Sequence, residues 1–264
     1  MNNNAYTLIT GASSGLGKEF SIQCASMGMN VIMIALPGSN TFSLAAQLIM
    51  EYEVDVQALE FDLTDSRILV KTLKELMNKF EINFLINNAG IGGTVSIMES
   101  TVESIDKIIQ LNVRGTVLVT QTLLAHLLKQ RESHILNVAS MAAFTPIAYK
   151  TVYPASKAFI SSFFLGLREE LQGTRVSVSV VYPGPIMTNS GVSSRIVEQG
   201  MKGRIGLLST IEIVRIALRQ TLAGRGVIIP GFWNRINHRL MRLLPTEMKL
   251  RIVSGAVKKE MSIR

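Results

Sequence analysis

The chain has 264 residues, 47% of them hydrophobic and 17% charged, with a formal net charge of +8. That length accommodates one α/β domain with a sizeable core, the composition excludes a disordered chain, and a lone Cys24 excludes an intrachain disulfide. Residues 225 to 264 hold nine basic against two acidic residues, whereas residues 1 to 224 hold 18 against 17, so the high pI describes a tail and no nucleic-acid partner follows from it.

Met1-Asn2-Asn3-Asn4 lacks the basic start and apolar run of a signal peptide, and no segment has the length of a membrane span, so the cytoplasm is the expected compartment. Tyr6 to Thr10 reads as a short strand. It runs into Thr10-Gly11-Ala12-Ser13-Ser14-Gly15-Leu16-Gly17 and a helix of apolar period from Leu16 to about Met27. In that strand–turn–helix context the turn is a cradle for a dinucleotide pyrophosphate. Gly11 permits the tight turn, Gly15 lets backbone approach the anion, and Gly17 lets helix and strand pack closely. Cys24 falls in the apolar pattern of that helix and reads as a buried thiol.

The second strand, Asn30 to Ala35, is followed by Leu36-Pro37-Gly38-Ser39-Asn40. No carboxylate is present there to grip the adenosine 2′-hydroxyl of NAD or to repel a 2′-phosphate. No Arg or Lys follows to bind a phosphate, and Ser14 stands where a basic residue would help. The expectation leans to NADP(H) over NAD(H), with backbone amides near Gly38 and the side chains of Ser39 and Asn40 as phosphate ligands.

Further strands are expected at Val56 to Phe61, Phe84 to Asn87, Ile135 to Ala139, Val176 to Val181 and Val227 to Ile229, each reached through a segment long enough for a helix. This alternation predicts a seven-stranded, mostly parallel, doubly wound α/β sheet with helices on both faces, and ligands at the carboxyl ends of its strands. His126, His134 and His238 lack metal-ligand spacing, so no metal site is expected.

The fifth strand leads into Ser140, and a helix then opens on Tyr153-Pro154-Ala155-Ser156-Lys157. Tyr153 and Lys157 stand at i and i+4, on one helix face. A phenol of pKa about 10 needs lowering by about three units, or about 4 kcal/mol, to exchange protons at neutral pH. One ammonium about 4 Å away, at an effective dielectric of about 20, supplies about that much.

With these residues the sequence resembles the short-chain dehydrogenase/reductase family over about residues 5 to 230. The resemblance implies a Rossmann-type fold and a nicotinamide-dependent oxidoreductase acting on a ketone or secondary alcohol. The Thr10 to Gly17 loop, with Gly11, Ser13, Ser14, Gly15, Leu16 and Gly17, matches the family's cofactor loop. Asp62 and Leu63 match its adenine contact, and Asn88, Ala89 and Gly90 match the segment closing strand four beside the cofactor. Ser140, Tyr153 and Lys157 match the catalytic Ser, Tyr and Lys, and Asn112 the helix Asn supporting a water relay that resupplies protons toward Lys157. Pro183, Gly184, Ile186 and Thr188 belong to a stretch that resembles the loop beneath the nicotinamide. Homodimers or homotetramers formed through the helix from Tyr153 to Gln172 are implied, in keeping with its excess apolar surface at Phe159, Phe163, Phe164 and Leu167.

Pro183 to Leu208 has the irregular Ser, Gly and Met composition of a lid or of a plain surface loop. Met141, Phe144, Ile147 and Met187 favour an apolar substrate, lipid-, acyl- or steroid-like. Residues 1 to 231 form the expected dinucleotide-binding catalytic domain, and residues 232 to 264 a basic amphipathic extension. In that extension Phe232, Trp233, Ile236, Leu240, Leu243 and Leu244 make an apolar stripe, with Arg235, Arg239 and Arg242 off it. The stripe either packs on its own domain or a sister subunit, or lies on an anionic membrane through residues 232 to 244. The rival functional class is a dinucleotide-binding regulatory or interaction protein without catalysis; the intact Ser, Tyr and Lys set speaks against it.

Overall fold

The apolar runs become seven strands: β1 (Tyr6–Thr10), β2 (Asn30–Ala35), β3 (Val56–Glu60), β4 (Ile82–Asn87), β5 (Ser133–Val138), β6 (Val176–Val181) and β7 (Val227–Ile228). This is a computed structural model, and it describes residues 5–185 and 207–261. All seven strands pair in parallel in the order β3-β2-β1-β4-β5-β6-β7, as the alternation of periods predicts. Strand ends differ by a residue or two from expectation because neighbouring pairing sets them. Ile82 joins β4 by pairing with Tyr6, and Ser133 joins β5 by pairing with Val176.

The helices are α1 (Gly15–Ser26), α2 (Thr41–Tyr52), α3 (Ser66–Lys79), α4 (Val102–Ile108), α5 (Thr116–Leu127), α6 (Val152–Glu170), α7 (Thr210–Leu222), α8 (Phe232–Leu243) and α9 (Thr246–Met261). They cover the sheet on both sides. One core gathers Leu69, Leu73, Leu123, Leu127 and Phe164 from α3, α5 and α6, and the other Phe20, Leu48, Val214 and Leu218 from α1, α2 and α7. Strands buried on both faces favour near-continuous apolar runs, as in β2, while β5 and β6 are buried with Ser133, Asn137 and Ser179 among their apolar residues.

The order reverses between β1 and β4, where successive crossovers leave in opposite directions and open a crevice at the carboxyl ends. Between α4 and α5 the helix is wound as a π-turn over Ile109–Gly115, a local excess of one residue that carries Asn112 inward. Cys24 is fully buried, and burial pushes its thiol up to about 12, which leaves it inert as a nucleophile.

Candidate active site

Thr10 ends β1 with its hydroxyl accepting from the backbone N–H groups of Asn88 and Ala89, both at 3.1 Å. Asn88 returns the contact, donating from Nδ2 to the carbonyls of Thr10 and Gly11, both at 3.0 Å. The loop after β1 and the loop after β4 are thereby locked across the switch point. A Cβ at Gly17 would stand 1.9 Å from the Gly11 carbonyl oxygen, and one at Gly11 would stand 2.9 Å from the Ala89 Cα. Gly15, at φ +53°, has no atom within 4 Å of its missing Cβ and faces the open crevice. The three glycines thus play the separate parts a pyrophosphate cradle requires.

A cleft of about 1200 Å³ runs from this loop across the strand ends. Its walls include Gly11, Ser13, Ser14, Gly15, Leu16, Asp62, Leu63, Asn88, Ala89 and Gly90 at one side, and Ser140, Tyr153, Lys157, Pro183 and Gly184 at the other. Of the remaining expected residues, Gly17 serves packing behind the loop, and Asn112 is buried behind the wall. Ile186 and Thr188, together with Met187 and most of the expected lid, lie outside the described residues.

Ser140 caps the short helical turn Met141–Phe144, its Oγ accepting from the Ala142 N–H at 3.1 Å. Tyr153 sits in the first turn of α6, where Pro154 is tolerated because the early N–H groups of a helix lack intrahelical partners. Burial pushes the Tyr153 phenol above its ordinary value, and the hydrogen bond from Ser140 draws it partly back. Lys157 lies one turn on, with 6% of its surface exposed. Its ammonium donates to the Val138 carbonyl at 2.8 Å and stands 6.0 Å from the centre of the Tyr153 ring.

The two side chains share one helix face, as their i and i+4 spacing predicts. Burial is the larger influence on both groups: it holds the phenol neutral and draws the ammonium down to about 8. Asn112 is held from inside the helix. Its Nδ2 donates to the Ile91 carbonyl at 2.8 Å and to Ser156 Oγ at 3.0 Å, while its Oδ1 accepts from the Ile91 N–H at 2.9 Å. Gly90 is glycine because Asn112 and Lys157 crowd it from the same side, each 3.2 Å from the Cβ position.

Two of the 2′-phosphate ligands expected after β2, the Gly38 amide and Ser39, are otherwise engaged. The Gly38 N–H donates to Glu60 Oε2 at 2.7 Å, the Thr41 N–H donates to Glu60 Oε1 at 3.1 Å, and Ser39 Oγ donates to the Leu36 carbonyl at 2.5 Å. Glu60 closes β3, 22 residues from Gly38 in the chain, so reading the β2 loop by itself gave no sign of it.

The C-terminal extension forms another wall, one that the motifs did not announce. Asn237, His238, Met241 and Arg242 of α8 and Lys249 and Val253 of α9 line the cleft. The His238 ring lies tilted against Phe144 at 4.1 Å, Phe144 stacks 4.5 Å from Tyr182, and Ser254 Oγ accepts from the Ala148 N–H at 3.1 Å. Asn234 packs against Gly184, whose missing Cβ would meet it at 2.8 Å. The one legible signal was the polar side of α8, at Asn234, Asn237, His238 and Met241, spaced as a single helix face.

Residues 5–198 match the family model described as short chain dehydrogenase. The chain belongs to the short-chain dehydrogenase family. Among relatives of this short-chain dehydrogenase, a very-long-chain 3-oxoacyl-CoA reductase of Eremothecium gossypii is 32% identical over 185 residues, covering 67% of this chain and 53% of the relative. The chain therefore spans about half the length of that relative. A 3-oxoacyl-[acyl-carrier-protein] reductase of Aquifex aeolicus is 30% identical over 203 residues, covering 76% of this chain and 82% of the relative. Among solved structures, a short-chain dehydrogenase from Sphingobium yanoikuyae in complex with NADPH superposes with a TM-score of 0.77 at 27% identity, covering 91% of this chain and 96% of that one. The enzyme is thus an oxidoreductase of a family that works on CH–OH and C=O groups, and its neighbours include proteins solved with NADPH and with NAD.

Proposed function

We propose that this chain reduces an apolar ketone, lipid-, acyl- or steroid-like, or runs the reverse reaction. The observation carrying this reading is the convergence of Ser140, Tyr153 and Lys157 on one wall of the cleft that begins at the Gly11 to Gly17 loop. Met141, Phe144, Ile147 and Met241 line the same space and favour an apolar substrate.

Gly11, Ser13, Ser14, Gly15 and Leu16 would hold the pyrophosphate, Asp62 and Leu63 the adenine side, and Asn88, Ala89, Gly90, Lys157, Pro183 and Gly184 the nicotinamide side. When bound there, the dinucleotide would supply the hydride that a carbonyl carbon accepts. Ser140 Oγ–H fixes the substrate oxygen, and Tyr153 gives its proton to that oxygen. A phenol kept neutral by burial suits a proton donor at neutral pH. The Lys157 ammonium, tied to the Val138 carbonyl beneath the ring, stabilises the phenolate left behind. Asn112 acts as a positioning residue, holding Ile91 and Ser156 against the lysine.

One support of the lean toward NADP(H), the Gly38 amide, is taken up by Glu60, while the absence of a carboxylate directly after β2 stands. The reading also includes a homodimer or homotetramer formed through α6. There Phe164 and Leu167 turn inward, while Phe159 stays 42% exposed and stacks on Phe163 at 6.0 Å. It includes a cytoplasmic location with peripheral membrane contact through residues 232–244; among the described residues no helix is long and apolar enough to cross a membrane.

A panel of ketones, followed by nicotinamide absorbance with NADH and with NADPH, tests the reaction. Dinucleotide binding with no turnover of any ketone would favour the regulatory binder instead.

A further inference from the structure

Four residues of the apolar stripe face away from the protein, while Ile236 and Leu244 are half-buried. Phe232, Trp233, Leu240 and Leu243 are 63%, 56%, 58% and 81% exposed, while Asn234 is buried and His238 and Met241 turn into the cleft. This overturns the alternative in which the stripe packs on its own domain. The physical reason is that the polar side has the better inward partners: Phe144 for His238, Gly184 and the Pro230 carbonyl for Asn234.

We propose that α8 lies on an anionic lipid surface by this stripe and, with its other face lining the cleft, admits a membrane-resident ketone to Tyr153. The inference rests on the oxidoreductase reading for its substrate and on the helix alone for its surface. Arg235 and Arg239 flank the stripe, Arg242 stands at the cleft edge, and no Asp or Glu occurs from residue 232 to 246. None of these arginines forms an ion pair among the described residues. Isologous contact with a second copy would set these guanidinium groups against their own equivalents, whereas lipid phosphates complement them. Aromatic rings beside arginines on an amphipathic helix suit the headgroup boundary.

Trp233 is the chain's single tryptophan, so its emission reports this face alone. Mixed phosphatidylglycerol–phosphatidylcholine vesicles should shift the emission to the blue and co-sediment the protein at low salt. Pure phosphatidylcholine should do so at least tenfold more weakly. Leu240→Ser with Leu243→Ser, at exposed positions outside the cleft, should abolish the shift. That double variant should lose at least tenfold in turnover of a long-chain ketone held in the vesicles and keep its rate on a short water-soluble ketone. No shift with anionic vesicles overturns the membrane surface. A shift without lipid that follows protein concentration assigns the stripe to a second copy, which also overturns it. Equal loss on both ketones overturns the entrance. If the wild type turns over neither ketone, the oxidoreductase reading fails while the emission arm still decides the surface.

Beside the other end of the cleft, whose wall there includes Leu36, Ser39 and Phe61, the Glu60 carboxylate accepts from the Gly38 and Thr41 N–H groups. We infer that Glu60 selects NAD(H) against NADP(H), by occupying those amides and by repelling a 2′-phosphate. No Lys or Arg among the cleft residues from Ala35 to Thr64 offsets it, and Asp62 adds a second carboxylate there. Dissociation constants measured by nicotinamide fluorescence should favour NADH over NADPH by at least tenfold in the wild type. Glu60→Gln, which keeps an acceptor for the loop, should narrow that ratio by tightening NADPH. A wild type that binds NADPH as tightly as NADH, or a ratio unmoved in Glu60→Gln, overturns the inference.

Discussion

Lys157 points its ammonium at the Val138 carbonyl, 2.8 Å away, and lies under the Tyr153 ring at 6.0 Å from its centre. The pair is therefore poised for proton donation by a neutral phenol, with the cation ready to stabilise the phenolate after the proton has left. Burial draws the Lys157 pKa down to about 8 from an ordinary 10.5. Between those values the unfolded chain binds the extra proton, so this group's penalty is full below about pH 8 and is relieved as pH rises to 10.5. Lys157→Met should be on the order of 3 kcal/mol more stable than wild type at pH 7, less the lost hydrogen bond, and that advantage should shrink toward pH 10. Urea unfolding of both proteins at the two pH values measures it; a difference that does not vary with pH would contradict the buried-cation reading.

Asn112 satisfies both backbone groups of Ile91 from inside a π-turn. Asn112→Ala leaves a buried N–H and C=O without partners and should cost about 3 kcal/mol. A urea midpoint barely changed from wild type would show that other groups take over these contacts.

Gly17→Ala places a Cβ against the backbone oxygen of Gly11, so the loop must move. Dinucleotide affinity should fall by about tenfold or more, equivalent to about 1.4 kcal/mol, with the circular dichroism spectrum retained. Fluorescence titration reads the affinity, and an unchanged value would mean that the loop does not hold the cofactor.

Glu53 ends α2 in the left-handed region at φ +54°. Glu53→Gly should raise stability by about 1 kcal/mol, seen as a higher melting temperature.

The sheet was legible because its strands are short β-branched and apolar segments alternating with helical ones, and because Gly11, Gly15 and Gly17 each answer a local backbone demand. Ser140, Tyr153 and Lys157 were legible as spacing and as a family pattern. Their electrostatics were not, because the balance between burial of Lys157 and its approach to Tyr153 depends on the carbonyl of Val138, on another element. Glu60 escaped notice for a like reason: β3 pairs with β2 and so carries a carboxylate to a loop far away in sequence. The π-turn around Asn112 leaves no mark in a helical period. The direction in which α8 faces was decided by contacts from Phe144 and Gly184, which hydrophobic spacing does not encode.

Tyr153→Phe removes a single oxygen from the wall of the cleft and leaves the Gly11 to Gly17 loop untouched. Ketone turnover and dinucleotide affinity measured on the same preparation should part company: turnover should fall by about a thousandfold or more, as befits loss of the proton donor, while the dissociation constant stays within about twofold. Turnover retained within tenfold of wild type would contradict Tyr153 as the proton donor.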